Sequence, residues 1–323
     1  MNSLSDCHQK IEEAIRLMEF GSQPKSLYEP IRYIMALGGK RLRPLLTLLS
    51  YSIYKNDIET IIPYAVAVEA FHNFTLLHDD IMDQAPIRRG EKTVHEKWNV
   101  NTAILSGDVM LVKVYEMFLG LDEKKLKAVL KIFNQCAAAV CEGQQRDMEF
   151  ETQSKVTDAQ YIEMIRQKTA VLLGFSLELG ALLAHAPESD QKALRDFGTN
   201  IGIGFQLKDD LLDVYADKKK FGKQVGGDII ANKKTFLLIK ALEKAKGKQK
   251  KELERWLTSK KFDARNKVKA ITSIYNELNI LELAEEKMNS FFNKGFISLG
   301  HLLQNEKVNP LIEFTKNLID RES

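Results

Sequence analysis

A chain of 323 residues with 44% hydrophobic and 28% charged side chains has enough apolar material for a sizeable core, and its composition is far from that of a disordered chain. The net charge of +3 is too small for the clustered basic surface of a nucleic-acid binder, so that class is set aside. With 7 prolines and 18 glycines over this length, helix breakers are scarce, and an all-α fold is expected.

The N-terminal stretch MNSLSDCHQKIEEAIRLMEF is charged and amphipathic and lacks the apolar centre of a signal peptide. From there apolar residues recur at three- and four-residue spacing with no sustained alternation. The spacing predicts helices over 3–20, 24–37, 41–55, 60–83, 99–119, 123–152, 158–185, 189–216, 234–258 and 264–320, the last two broken. Pro30, Pro44 and Pro63 fit first turns or kinks, Pro187 punctuates a stop after His185, and Thr157, Asp158 and Asp190 suit helix starts. The most apolar stretch, Thr169 to Ala186, carries Glu178 at its centre. That carboxylate would cost roughly 2.5–3.5 kcal/mol at mid-bilayer, so the stretch reads as a buried helix and no stable membrane insertion is expected. Cys7, Cys136 and Cys141 form no ligand pattern and read as reduced thiols of a cytoplasmic protein. Gln84 to Thr93 and the lysine-rich Asp217 to Lys234 break the helical pattern, but no low-complexity linker divides the chain. A single domain over 1–323 is expected.

The strongest chemical signal is a repeat of the form L-x-D-D-x-x-D. It occurs at Leu77 with Asp79, Asp80 and Asp83, and again at Leu207 with Asp209, Asp210 and Asp213. Residues four apart share a helix face, so Asp79 meets Asp83 and Asp209 meets Asp213. Like charges so placed oppose the helix by roughly 0.2–0.5 kcal/mol per pair, and by more when the flanks are buried. Such a set calls for a counter-ion. Oxygen donors with no cysteine select Mg²⁺ or Mn²⁺, usually completed by water and substrate phosphate.

Basic residues accompany the acidic ones. In GGKRLR, Lys40 and Arg43 would share one helix face after the Gly38–Gly39 pair. Arg88 and Arg89 follow the first cluster, and Lys223 and Lys233 bracket Gly226-Gly227-Asp228 after the second. Two acidic and two basic groups suggest two anionic ligands, one held through metal and one held by cations directly. Lys208 is expected to point away from the metal. The segment after about 250 carries charge in helical register and no visible chemistry, which suits packing or dimer support.

Seven motifs from Tyr28 to Ala241 occur together and in order: GGKRLRP, FTLLHDDIMD with its downstream RRG, SGD at Ser106 to Asp108, EGQQRD at Glu142 to Asp147, RQKTA at Arg166 to Ala170, GFQLKDDLLD, and GK…GGDI…NKKT. In this the chain resembles the trans-isoprenyl diphosphate synthases, the polyprenyl synthetase family. The resemblance implies one all-α isoprenoid-synthase domain with a deep cavity, its aspartate motifs facing each other across the mouth, assembled as a homodimer. It also implies condensation of isopentenyl diphosphate with an allylic diphosphate (dimethylallyl, geranyl or farnesyl), giving geranylgeranyl or farnesyl diphosphate.

Carried over residue by residue, the resemblance gives Asp79, Asp83 and Asp209 as Mg²⁺ ligands, supported by Asp80, Asp210 and Asp213. Arg88, Lys168, Lys223 and Lys233 would contact the allylic diphosphate. Lys40, Arg43, His72 and Arg89 would hold isopentenyl diphosphate. Lys168, Thr169 and Gln206 would line the reacting centre, and Gln144 with Asp147 would extend the metal shell. His78 reads as a structural helix-face residue, and 217–234 as a candidate lid. Phe74 would act as a floor setting product length, with Phe71 helping to close the cavity beneath the smaller Thr75. Other readings weigh less. A non-catalytic partner subunit would be expected to lose one acidic cluster, and a terpene cyclase would replace the second motif and lack the basic set. A di-iron bundle would need paired Glu-x-x-His motifs, which are absent.

Overall fold

The structure, a computed structural model, describes residues 4–216 and 226–320. In chain order the helices are α1 (Leu4–Leu17), α2 (Lys25–Ala36), α3 (Leu42–Ser52), α4 (Ile62–Met82), the short α5 (Val94–Lys97), α6 (Val100–Phe118), α7 (Glu123–Thr152), α8 (Asp158–Ile165), α9 (Val171–Leu183) and α10 (Glu188–Tyr215). Further helices follow at Gly227–Ile230, Phe236–Lys244, Gly247–Thr258, Ala264–Glu277, Ile280–Ser298 and Asn309–Asp320. The expected all-α class is therefore observed.

Local chemistry sets many of these ends. Thr157 caps α8 in a capping box with Gln160, each side chain bonding the other's backbone amide. Asn99 accepts from the Thr102 amide at the start of α6. Pro63 sits in the first turn of α4, where its missing N–H costs nothing. No helix among the described residues is long and apolar enough to cross a membrane. In the apolar α9, Glu178 is 8% exposed and pairs with Arg195 at 3.2 Å.

The structure departs from the expected elements at three places. The helix expected over 41–55 begins only at Leu42, because Arg41 at its N-cap is left-handed (φ 43°). Lys40 therefore lies in the exposed turn before α3 and does not share a helix face with Arg43. The stretch 84–93 forms a small antiparallel ribbon, pairing Ile87 with Lys92 and Arg88 with Glu91. Its central residues Arg89 (φ 53°) and Gly90 (φ 82°) are both left-handed, as a tight hairpin requires. The helix expected over 158–185 is interrupted by a π turn, Arg166–Ala170. A Cβ at Gly143 would lie 2.2 Å from the Lys168 amide, so Gly143 permits the close approach of α7 to this widened turn. The break expected within 234–258 falls between Lys244 and Gly247.

The described chain groups into two compact units. One comprises Met1–Gln135, Phe175–Arg195 and His301–Leu311, the other Cys136–Gly174, Asp196–Gly300 and Ile312–Ser323. In the first, α4 is apolar on nearly every side, burying Ala65 to Val68, Ala70, Phe71 and Leu77. It lies against α6 at Gly107, where a Cβ would come within 2.3 Å of the His78 ring. Phe133 anchors an aromatic cluster beside it, with centroids 5.0 Å from Phe71, 5.4 Å from Phe118 and 5.8 Å from Phe175. The second unit has its own core, in which Leu207, Leu237, Leu253, Ile271 and Tyr275 are buried together.

Candidate active site

The first aspartate motif forms the last turn of α4, with Asp83 as C-cap and its amide bonded to the Asp79 carbonyl at 2.8 Å. Asp80 is buried at 2% exposure and faces the ribbon. Arg88 Nε donates to both Asp80 oxygens at 2.8 and 2.9 Å, with Nη2 2.6 Å from Oδ1 and 3.8 Å from Asp79 Oδ2. Burial pushes the Asp80 carboxyl up and Arg88 opposes it. Asp80 thus fixes Arg88 in a fork beside Asp79. Asp83 is exposed and Asp79 part-buried.

The basic residues of this unit separate into two roles. Arg41, which the sequence reading left without a function, is buried at 2% exposure. Its guanidinium donates to Glu12 at 2.8 Å, Glu69 at 3.0 Å and the Met35 carbonyl at 2.8 Å, so its charge is spent on structure. Arg89 instead donates to the Gly38 carbonyl, and its guanidinium stands where a Cβ on Gly39 would come within 3.2 Å. Gly39 has a φ of 145° and leaves that cradle open. Burial, Arg43, Arg89, Arg88 and Arg41 together hold the His72 imidazole well below its ordinary range. Arg43, His72 and Arg89 therefore form a cluster in which a neutral imidazole sits among cations, an arrangement suited to a multiply charged anion. Lys40 is exposed in the adjoining turn.

Below the motif on the same helix, Phe74 is 9% exposed and packs 5.7 Å from Phe71 and 4.8 Å from His78. Phe71 is fully enclosed by the aromatic cluster, so it backs Phe74 from the core side. Thr75 is part-buried and its hydroxyl donates to the His72 carbonyl at 2.8 Å. His78 approaches the Ile104 carbonyl at 3.2 Å, which gives it a packing role against α6.

In the second unit the other motif ends α10. Asp209 is exposed, whereas Asp210 is 4% exposed, accepts from the Tyr161 hydroxyl and lies 3.5 Å from Gln206 Nε2. Burial above all, with the charge of Asp228, pushes Asp210 up to about 8, against Tyr161, Gln206 and Lys233. Asp213 Oδ2 accepts the Asp228 amide at 3.0 Å, and the Asp213 carbonyl accepts the Gly226 amide at 2.6 Å. Asp228 is pushed up to about 6 by burial and by Asp213, Asp147 and Asp209, with Lys233 opposing. Lys168, on the π turn, donates to Asp147 at 2.7 Å, so these two predicted residues are brought together as a pair. Thr169 Oγ1 lies 3.5 Å from Gln206 Oε1. Gln144 Nε2 is buried with no hydrogen-bond partner among the described residues, a donor suited to an anion's oxygen. Lys208 donates to the Ile319 carbonyl at 2.5 Å, toward the C-terminal helix. Lys223 and the first half of the candidate lid, 217–225, lie outside the described residues.

Asp228 and Tyr161 were not assigned by sequence reasoning. The GGD step was visible, but the contact of Asp228 with Asp213 depends on how the chain returns to α10. The donor set fits Mg²⁺. It consists of carboxylate oxygens, and burial together with the charges of Asp213, Asp147 and Asp209 raises Asp228. Among the described residues no three His, Cys, Asp or Glu side chains enclose an ion by themselves.

Two carboxylate turns, each with cations of its own, on an all-helical chain place the protein in the isoprenoid-synthase class of folds. The polyprenyl synthetase family model matches residues 24–275, and the chain belongs to that family. It is 38% identical over 326 residues to a geranylgeranyl pyrophosphate synthase of Geoglobus acetivorans, covering 98% of this chain and 96% of the relative. It is 43% identical over 246 residues to a short chain isoprenyl diphosphate synthase of Methanocaldococcus jannaschii, covering 76% and 74%. A crystal structure of a geranylgeranyl pyrophosphate synthase superposes with a TM-score of 0.93 at 39% identity, covering all of both chains.

Proposed function

We propose that this chain is a short-chain trans-prenyltransferase that joins isopentenyl diphosphate head-to-tail to an allylic diphosphate and yields chiefly geranylgeranyl diphosphate. The observation that carries the reading is the pairing of two intact carboxylate motifs with a separate Arg43–His72–Arg89 cluster in which an imidazole lies among arginines. One diphosphate is handled through carboxylate-held metal and the other by side-chain cations alone.

Asp79, Asp83 and Asp209 would hold Mg²⁺, with Asp213, Asp228 and Asp147 in support, and Mn²⁺ could substitute. When bound, the metal supplies Lewis acidity that neutralises charge developing on the leaving diphosphate. Arg88, held by Asp80, presents its guanidinium to the same group, and Lys233 adds a second cation. Loss of diphosphate leaves an allylic cation, which needs oxygen dipoles and no nucleophile. Thr169, Gln206 and the Lys168 carbonyl of the π turn provide them. Isopentenyl diphosphate, anchored by Lys40, Arg43, His72 and Arg89, attacks through its double bond, and the released diphosphate takes the proton. Phe74, supported by Phe71, ends the space for the growing chain, and the small Thr75 above it favours geranylgeranyl over farnesyl product.

The enzyme works as a homodimer. Support comes from the apolar side chains left exposed along one helix and its cap: Ile104, Leu105, Val112, Tyr115 and Leu119, at 36–64% exposure. Incubation with labelled isopentenyl diphosphate and each allylic primer, followed by chromatography of the dephosphorylated products, tests the reaction. Absence of elongation with every primer would refute it.

A further inference from the structure

We propose that Lys267 is a positioning residue of the second half-site, holding the 226–235 segment so that Asp228 and Lys233 stand against the second aspartate motif. The inference rests on the prenyltransferase reading given above. Lys267 lies on the helix Ala264–Glu277, in the stretch for which the sequence offered only packing, and it is fully buried at 0% exposure. A buried ammonium is costly unless its donors are satisfied. Here Nζ donates to the Ile230 carbonyl at 3.1 Å and to Asn232 Oδ1 at 2.6 Å, and stands 4.2 Å from the centroid of the Phe262 ring. Among the described residues no carboxylate pairs with it.

Those two acceptors end the short helix Gly227–Ile230, whose last carbonyls have no helical partner. Asn232 is itself left-handed (φ 57°), and its amide nitrogen donates to the Leu257 carbonyl at 3.1 Å. The following Lys233 amide turns back onto the Asp228 carbonyl at 2.9 Å. One residue along from Lys267, Val268 packs on Gly226 so closely that a Cβ there would lie 2.6 Å from its Cγ2. The motif itself holds the segment through Asp213, the Lys267–Val268 step holds it from the helix Ala264–Glu277, and Asn232 on the Leu257 carbonyl and Lys234 on the Phe150 carbonyl add to these. Removing the Lys267 contacts loosens the hold on Asp228 and Lys233, while the isopentenyl diphosphate residues belong to another part of the chain.

The test uses the full-length enzyme, with inorganic pyrophosphate and a Mg²⁺ titration read by thermal shift, a measurement independent of turnover. Lys267→Met should raise the Mg²⁺ concentration at half-maximal shift by about fivefold, the effect of roughly one net hydrogen bond. The KM for isopentenyl diphosphate should stay within about twofold, because that site shares no contact with Lys267. Asn232→Gly keeps the left-handed backbone while removing the Oδ1 acceptor of Lys267 and the donor to the Leu257 carbonyl, so it should fold and move the midpoint in the same direction. An unchanged midpoint in folded Lys267→Met overturns the proposal, as does a loss of kcat with both KM values and the midpoint unmoved. If Lys267→Met does not fold, an unchanged midpoint in Asn232→Gly overturns it. A wild-type enzyme showing no Mg²⁺-dependent shift also overturns it. Wild-type protein that binds Mg²⁺ and pyrophosphate but elongates no primer removes only the prenyltransferase reading.

Discussion

Phe74→Ala should lengthen the product. Phe74 precedes Asp79 by five residues on one helix, about 7.5 Å at 1.5 Å per residue, so its ring lies where a chain extending from the metal would meet it. At 9% exposure the ring is nearly enclosed, with Phe71 behind it and His78 above it. Removing it clears a space somewhat larger than one isoprene unit. The cost is that of a core truncation, about 3–5 kcal/mol, and the lower end applies because the product itself can fill the space. Against a total stability of roughly 5–15 kcal/mol the variant stays folded, melting lower by about 2–4 °C for each kcal/mol. The assay is chromatography of dephosphorylated products, run well below the variant's melting temperature. Products one or more isoprene units longer than the wild-type product, with an unaltered Mg²⁺ requirement, are expected. Phe74→Leu should give a smaller shift in the same direction. A folded, active Phe74→Ala with the wild-type distribution would refute the floor and move it to another residue.

Asp79→Asn or Asp209→Asn should lower kcat by about 10²–10³, the scale of one lost electrostatic contact to the transition state, and chelator-treated enzyme should be inactive until Mg²⁺ is restored. Full turnover after chelation would be incompatible with the metal assignment. Arg43→Ala and Lys40→Ala should chiefly raise KM for isopentenyl diphosphate, whereas Arg88→Ala should disturb the allylic substrate; initial rates with each substrate varied decide it. His72 gives a pH test. Its folded pKa is depressed by burial and neighbouring arginines, so unfolded His72 takes up a proton near pH 6.5 that the folded protein refuses. Stability from this group is present above about pH 6.5 and is lost as pH falls below it. Urea melts of His72→Gln should therefore decline less than wild type between pH 7.5 and 5.5, and parallel declines would count against the arginine-crowded histidine.

The helices were legible because their signals are local. The apolar period, Thr157 with Gln160, and Pro63 in a first turn all act within a few residues. The aspartate motifs were legible for the same reason, since two carboxylates four apart on an apolar helix stand out at once. What escaped depends on contacts distant in sequence. The π turn at 166–170 forms where Gly143 lets another helix approach, and nothing inside RQKTA announces it. Lys40, Arg41 and Arg43 look equivalent in GGKRLR. Only Glu12 on α1 and Glu69 on α4 show that Arg41 is buried in structure while Lys40 faces solvent. Asp80 and Arg88 were given separate tasks by the sequence, and the ribbon unites them.

The two half-sites carry opposite electrostatic imbalances, and the imbalance identifies each ligand. Around His72 stand Arg43, Arg89 and Arg88, while Arg41 is engaged by Glu12 and Glu69. Around Asp228 stand Asp213, Asp147 and Asp209, which together with burial push its carboxyl up to about 6 against Lys233. A chain selected for stability alone would pair these groups with each other or replace them with apolar side chains. Gathering like charges in this way raises the free energy of the ligand-free fold, and a bound species of the opposite sign relieves it. The positive excess calls for a bare diphosphate. The negative excess cannot accept one directly and calls for a diphosphate that arrives with divalent cations. On the proposed function, two copies of one chemical group would be told apart by whether metal accompanies them, and that distinction would set which diphosphate departs and which is retained in the product.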